Sequence, residues 1–156
     1  MVHKRRRGTA IVDTPEGILV VSENNRTYSL PGGGARRGET RESAAIRELK
    51  EETNLIVTYC SFKFPYESGY HLHKVFSMNC TGTAKPRHEI KFLSYYNNSN
   101  VNISETTKKI IEIYNGLKAT NSVICEHCRR ANDSVQIAKG VCWYCGAPLP
   151  KPTIQK

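Results

Sequence analysis

Apolar and polar residues alternate in several short runs of the chain, and in two longer runs apolar residues recur every three or four positions. Gly8 to Asp13 predicts a strand, Pro15-Glu16-Gly17 a turn, and Ile18 to Ser22 the returning strand. Asn24-Asn25 predicts a second turn and Thr27 to Leu30 a short strand; Pro31-Gly32-Gly33-Gly34 then breaks regular structure. From Thr40 to Thr53 the period becomes helical, with Ala45, Ile46, Leu49 and Thr53 on one face. Leu55 to Phe64 and Tyr70 to Thr81 read as strands, the second with Leu72, Phe76, Met78 and Cys80 on one face. Ile90 to Tyr95 is a further strand. Ser104 is placed to cap a second helix carrying Ile103, Thr107, Ile110, Tyr114 and Leu117, with Gly116 near its end. After a linker from Lys118 to Ser122 the chain becomes poor in apolar residues and rich in cysteine. The expected division is therefore 1–119 and 120–156.

The chain has 156 residues, 38% hydrophobic and 24% charged, which suits one domain of ordinary size with a short appendage and excludes wholesale disorder. No stretch approaches the roughly 18 apolar residues of a membrane span, so no membrane partner is expected. The basic run Lys4 to Arg7 is not followed by an apolar segment; it is not read as a secretory signal, and a cytoplasmic location is the expectation. The formal net charge of +9 points to an anionic partner, either a nucleotide or a nucleic acid. Lys4 to Arg7 reads first as a solvated terminus, with a phosphate-contacting arm as the alternative.

The segment from Leu30 to Leu55, LPGGGARRGETRESAAIRELKEETNL, carries the candidate chemistry. At about 100° per residue, Glu48, Glu51 and Glu52 fall within about 100° of arc on the first helix. Like charges so spaced cost a few tenths of a kcal/mol per pair, and the helix dipole disfavours anions near a C-terminus. A divalent cation reverses that repulsion. Mg²⁺ takes hard oxygen ligands and shares them with substrate phosphates and water. The glycines allow close backbone approach, while Arg36, Arg37 and Arg47 offer donors suited to phosphate or carboxylate.

The spacing resembles the Nudix box, G-x5-E-x7-R-E-U-x-E-E-x-G-U with U aliphatic. Gly33 is followed after five residues by Glu39. Seven more lead to Arg47-Glu48-Leu49, then Lys50, Glu51-Glu52, Thr53, Asn54 and Leu55. Asn54 alone departs, standing where glycine is usual; Asn is the other residue that tolerates a left-handed helix cap. The resemblance implies an α/β fold, the Nudix α/β/α sandwich with a mixed sheet. It implies Mg²⁺ or Mn²⁺ held by Glu48, Glu51, Glu52 and the Gly33 carbonyl, with Glu48 and Arg47 as catalytic residues. Glu39 then ties the loop to the helix start. Arg36 and Arg37 are expected to bind substrate. Glu89 and Glu67 are candidates for a further base, both with a surface role as the default, and His71 and His73 are expected to face solvent or be satisfied within a strand. The implied activity is hydrolysis of a phosphoanhydride bond in a nucleoside diphosphate linked to another group. The alternative is a nucleotide-sensing or RNA-binding protein of the same fold.

Cys125-x-x-Cys128 and Cys142-x-x-Cys145 are separated by thirteen residues. Four thiolates in two tight pairs suit tetrahedral Zn²⁺, and a segment of this length cannot hold itself together by apolar burial alone. The tail resembles a zinc ribbon with a structural metal, a β-hairpin through Ser134 to Val141 bridging the pairs and Gly146 completing the last turn. A redox role for Cys142-Trp143-Tyr144-Cys145 is the rival. Arg129, Arg130, Lys139 and Trp143 are candidates for a nucleic-acid surface. Cys60 and Cys80 read as buried free thiols. Oligomeric state is left open.

Overall fold

The computed structural model describes residues 3–98 and 100–154; Met1 and Val2, at the head of the basic run, lie outside them. A mixed sheet is built from β1 (Arg5–Ile11), β4 (Gly32–Gly34), β5 (Ile56–Glu67), β6 (His71–Thr81) and β10 (Thr153–Ile154), in the order β10-β5-β6-β1-β4. β1 runs parallel to β6 and antiparallel to β4, and the other neighbours are antiparallel. A second, antiparallel sheet has the order β2-β3-β7, from β2 (Asp13–Thr14), β3 (Gly17–Ser22) and β7 (Phe92–Tyr96). The expected hairpin at Pro15 forms, but its first arm is β2. The chain leaves the larger sheet after Ile11, so β1 and β3 belong to different sheets.

Alternation along these strands sends successive residues to opposite faces. Ala10, Val12 and Leu19 join one core with Ala45 and Leu49 of α1 (Arg41–Thr53). Ile11, Ile18 and Val20 join another with Ile110, Ile111, Tyr114 and Leu117 of α2 (Glu105–Lys118). The sheets thus lie between two helices, as the resemblance implied. Thr40 caps α1, its Oγ1 accepting the Ser43 amide at 3.1 Å, and Ser104 caps α2 through the Thr107 amide at 3.2 Å. Asn54 ends α1 at φ 65° with its amide on the Lys50 carbonyl, so the one departure from the box is a left-handed cap.

Three local expectations are corrected. Gly32-Gly33-Gly34 is a strand, paired to Thr9, Gly8 and Arg7, because a backbone without side chains can lie flush against its neighbour. Thr27 to Leu30 makes only single bridges, Ser29 to Val21 and Tyr28 to Ile103. Ser134 to Val141 is not a hairpin: α3 (Ser134–Lys139) fills most of it, with Asp133 capping two amides at 3.0 and 3.1 Å and Gly140 ending it at φ 78°. The hairpin of the tail is β8 (Val123–Ile124) with β9 (Ala131–Asn132), around the first cysteine pair.

The tail packs on the mixed sheet. β10 pairs with Cys60 and Tyr59 of β5, and Val123 and Ile137 reach the α1 core. Glu126 meets Lys74 at 3.0 Å and Arg41 at 3.7 Å.

Candidate functional site

Two cavities of about 370 and 350 Å³ adjoin and share Arg7, Ser29 and Leu30. The smaller is polar, with Gly32, Glu52 and Glu89 on its wall. The larger runs past Tyr70, His71 and His73 to the start of α2.

The glycine strand sets the geometry of the first. At Gly33 an added Cβ would collide with the Glu48 carboxyl group, so glycine here leaves that side chain room to lie against β4. Gly32 donates its amide to Glu52 Oε1 at 3.1 Å. Glu52 is 5% exposed and forms no ion pair among the described residues. Burial raises its pKa to about 8, against the Gly32 amide, with Glu48 adding to the rise. The loop carrying Glu89 is tied to the end of α1, its Arg87 amide on the Glu52 carbonyl at 3.0 Å and its Lys85 amide on that of Thr53 at 2.8 Å.

Arg47 is the fastening of the site. Its Nε and Nη2 each donate to Glu39 at 2.9 Å, Nη1 donates to Glu48 at 2.8 Å and Glu51 at 3.3 Å, and Nη2 reaches the Gly34 carbonyl at 3.3 Å. The Arg47 bond, helped by the Arg36 amide, holds the Glu39 carboxyl down to about 2. Arg47 draws Glu48 and Glu51 to one side while Glu52 turns to Gly32. The three carboxylates share a helix face but do not meet in one knot: among the described residues, the only group of three or more metal-binding side chains with ligand atoms within 4.8 Å of one another is the four cysteines.

Arg36 and Arg37 are exposed and line neither cavity. They stand in the loop before α1, in which Gly38 is at φ 79°. The cation that does stand here is Arg7. Its Nη2 donates to the Leu30 carbonyl at 3.2 Å and its Nε to Thr9 at 3.3 Å; burial lowers its pKa, opposed by Glu52 and Glu48. A charge run at a terminus hid it. The signal was its spacing: Arg7 and Thr9 are two apart, hence on one face of a strand begun three residues earlier than expected. Glu89 is an exposed residue, as expected, that also lines the polar cavity, whereas Glu67 is ion-paired with Lys4 away from it. His73 is buried between Thr9 and Ser68, a satisfied strand residue as expected, and His71 is half-buried beside it.

The second cluster is the cysteine group. Cys125 and Cys145 sulfurs are 3.8 Å apart, and those of Cys128 and Cys142 3.5 Å. Tetrahedral bonds of about 2.3 Å to one ion require sulfurs about 3.8 Å apart. The His127 amide donates to Cys125 at 3.3 Å and Asn132 Nδ2 to Cys142 at 3.4 Å, bonds that favour thiolates. Gly146 sits at φ 75° after the last pair, as expected, with Arg129 at φ 64° in the corresponding place after the first. Cys60 is buried and Cys80 half-buried; burial pushes the Cys80 thiol up to about 11 and Cys60 higher, so neither is a nucleophile at neutral pH.

A buried carboxyl group, an arginine-fastened acidic helix and a glycine strand thus stand beside a polar cavity on a helix-flanked mixed sheet. The NUDIX domain model matches residues 3–112, and the chain belongs to that family. A nudix hydrolase family member from Chromobacterium violaceum is similar at 33% identity, over 74% of this chain and 79% of that one, with a TM-score of 0.70. A MutT NUDIX hydrolase from Burkholderia pseudomallei shares the fold at 18% identity and TM-score 0.63, over 70% of this chain and 97% of that one. An ADP-ribose pyrophosphatase of Methanocaldococcus jannaschii is 39% identical over 62 residues, which span 37% of either chain.

Proposed function

We propose that the chain is a pyrophosphohydrolase that cleaves the phosphoanhydride bond of a nucleoside diphosphate bearing a second group, ADP-ribose being the model for this class. The observation that carries the reading is Glu52: a buried carboxyl group with no ion pair, its pKa raised to about 8, in the wall of a cavity that also holds Glu89 and Arg7. Once ionised, such a carboxylate is stabilised by a cation beside it. The donor set of Glu48, Glu51, Glu52 and the Gly33 carbonyl is all hard oxygen and fits Mg²⁺ or Mn²⁺. The divalent ion supplies charge neutralisation of the diphosphate and a more acidic water. Arg47 holds Glu48 in position as the base that removes the proton from the attacking water. Glu89 is the second candidate for that proton. Arg7 grips a phosphate oxygen where the cavities join, leaving the larger one for the nucleoside. Water adds to one phosphorus, the bridging P–O bond breaks, and a nucleoside monophosphate leaves with the phosphorylated second group. Similarity to a pyrophosphatase named for ADP-ribose supports the substrate class.

For the tail, residues 120–156, we propose a structural zinc on Cys125, Cys128, Cys142 and Cys145. The sulfur spacing supports it, and all four positions of a tetrahedron are taken, leaving none for substrate.

The test is Glu52→Gln, assayed for Mg²⁺-dependent release of mononucleotide from ADP-ribose, other nucleoside diphosphate derivatives and triphosphates. Activity falls by about a hundredfold or more, beyond the 10–100-fold loss typical of residues that only support a ligand, with an unchanged circular dichroism spectrum. Full activity in the variant would overturn the metal assignment.

A further inference from the structure

The cysteine knuckles carry a surface that hydrolysis does not use. Trp143, the single tryptophan of the chain, is 68% exposed, and Tyr144 beside it 53%. Large aromatic rings stay in water at a cost unless something stacks on them. Arg130 lies over the Tyr144 ring at 4.9 Å, and Arg129 occupies the left-handed position that glycine fills in the second knuckle. The platform is stiff. Asn132 is buried, accepts the Trp143 amide at 2.8 Å and donates to the Cys142 sulfur, so the backbone of Trp143 is fixed to the metal-binding cluster.

Charge points to the occupant. The tail has five Lys and Arg against two acids. Both acids are engaged: Glu126 with Arg41 and Lys74, and Asp133 in capping α3. The tail is therefore net cationic, with Asp133, held in its two capping bonds, the one acid beside the rings among the described residues. A depression of about 230 Å³, lined by Ala131, Asn132, Asp133, Gln136, Trp143 and Tyr144, opens beside the rings. That is below the roughly 300–1,000 Å³ of small-molecule sites, and suits one planar ring with amide donors and acceptors at its edge.

We infer that this face binds single-stranded nucleic acid, with an unpaired base stacked on Trp143 and the adjoining phosphates on Arg129 and Arg130. Stacking needs a base face that a duplex keeps covered, and the arginines supply the backbone contact.

The single tryptophan makes the test specific to the site. The full-length zinc-loaded protein is titrated with labelled oligo(U) and oligo(dT) of roughly 12 nucleotides, a length within the usual single-strand site, and with a duplex of the same length. Trp143 emission and probe anisotropy are read together. Emission is quenched on binding, and Trp143→Ala weakens both single strands by about tenfold or more, with zinc content and hydrolytic rate unchanged. Trp143→Phe keeps most of the affinity, and Arg130→Ala shallows the salt dependence by about one unit of slope. A preference for oligo(U) assigns RNA; equal binding assigns the single strand whatever its sugar. Three results would each overturn the inference: unquenched emission, undiminished binding by zinc-loaded Trp143→Ala, or duplex bound as tightly as single strand.

Discussion

His73 is held neutral by its surroundings. Its ring nitrogens face the hydroxyls of Thr9 at 2.8 Å and Ser68 at 3.2 Å, and burial, then Arg7, then His71 push its pKa down to about 3 from 6.5. Between those values the unfolded chain takes up a proton that the folded one refuses. The stability this residue contributes is whole above pH 6.5 and drains away as pH falls towards 3, at up to about 1.4 kcal/mol per pH unit. Urea unfolding from neutral to acid pH shows that slope, and His73→Gln flattens it; an equal slope in the variant would assign the acid sensitivity elsewhere. At this scale the box residues were legible because their spacing is their chemistry, down to the left-handed Asn54. Arg7 was not. Its role depends on which strand lies beside β1 and on Leu30 presenting a carbonyl, facts of pairing that a linear pattern does not carry.

Between elements, the closest meeting is that of α1 with β1. A Cβ at Gly8 would lie 2.7 Å from the Ala45 amide nitrogen and 2.9 Å from its Cβ. Gly8→Ala must lift the helix, at a cost of about 1–3 kcal/mol in chemical denaturation, and it lowers hydrolysis because Glu48 and Glu52 ride on that helix. Wild-type stability in the variant would mean that helix and strand part freely. Both long helices were legible from periodicity, the second also from its capping Ser104. The glycine strand was not, since a strand without side chains has no alternation to read. The bulge at Lys63 was equally silent: Phe62 pairs with Phe76 and Phe64 with Val75, so two phenylalanines with strand spacing enter opposite cores.

Across the molecule, the tail is moored to the front by β10 on β5, by Glu126 on Lys74 and Arg41, and by Val123 in the α1 core. If a metal organises the cysteines, stripping it loosens these moorings together. Under chelation, amide exchange accelerates at Thr153, Ile154 and the facing residues of β5, while β1 and α1 keep their protection. Melting of the front falls by only about 2–4 °C per kcal/mol of docking lost. Slow exchange throughout would show that the tail stands without metal. The sequence announced the tail through its cysteines, but its docking depends on Glu126 finding two cations far along the chain. The shared wall of the two cavities has a further consequence for chemical probes. Arg7, Ser29 and Leu30 border both lobes, so fragments seated one per lobe lie on either side of a single guanidinium. Joining such fragments by a short tether turns the second capture into an intramolecular event at millimolar effective concentration, a route to inhibitors that neither lobe offers alone.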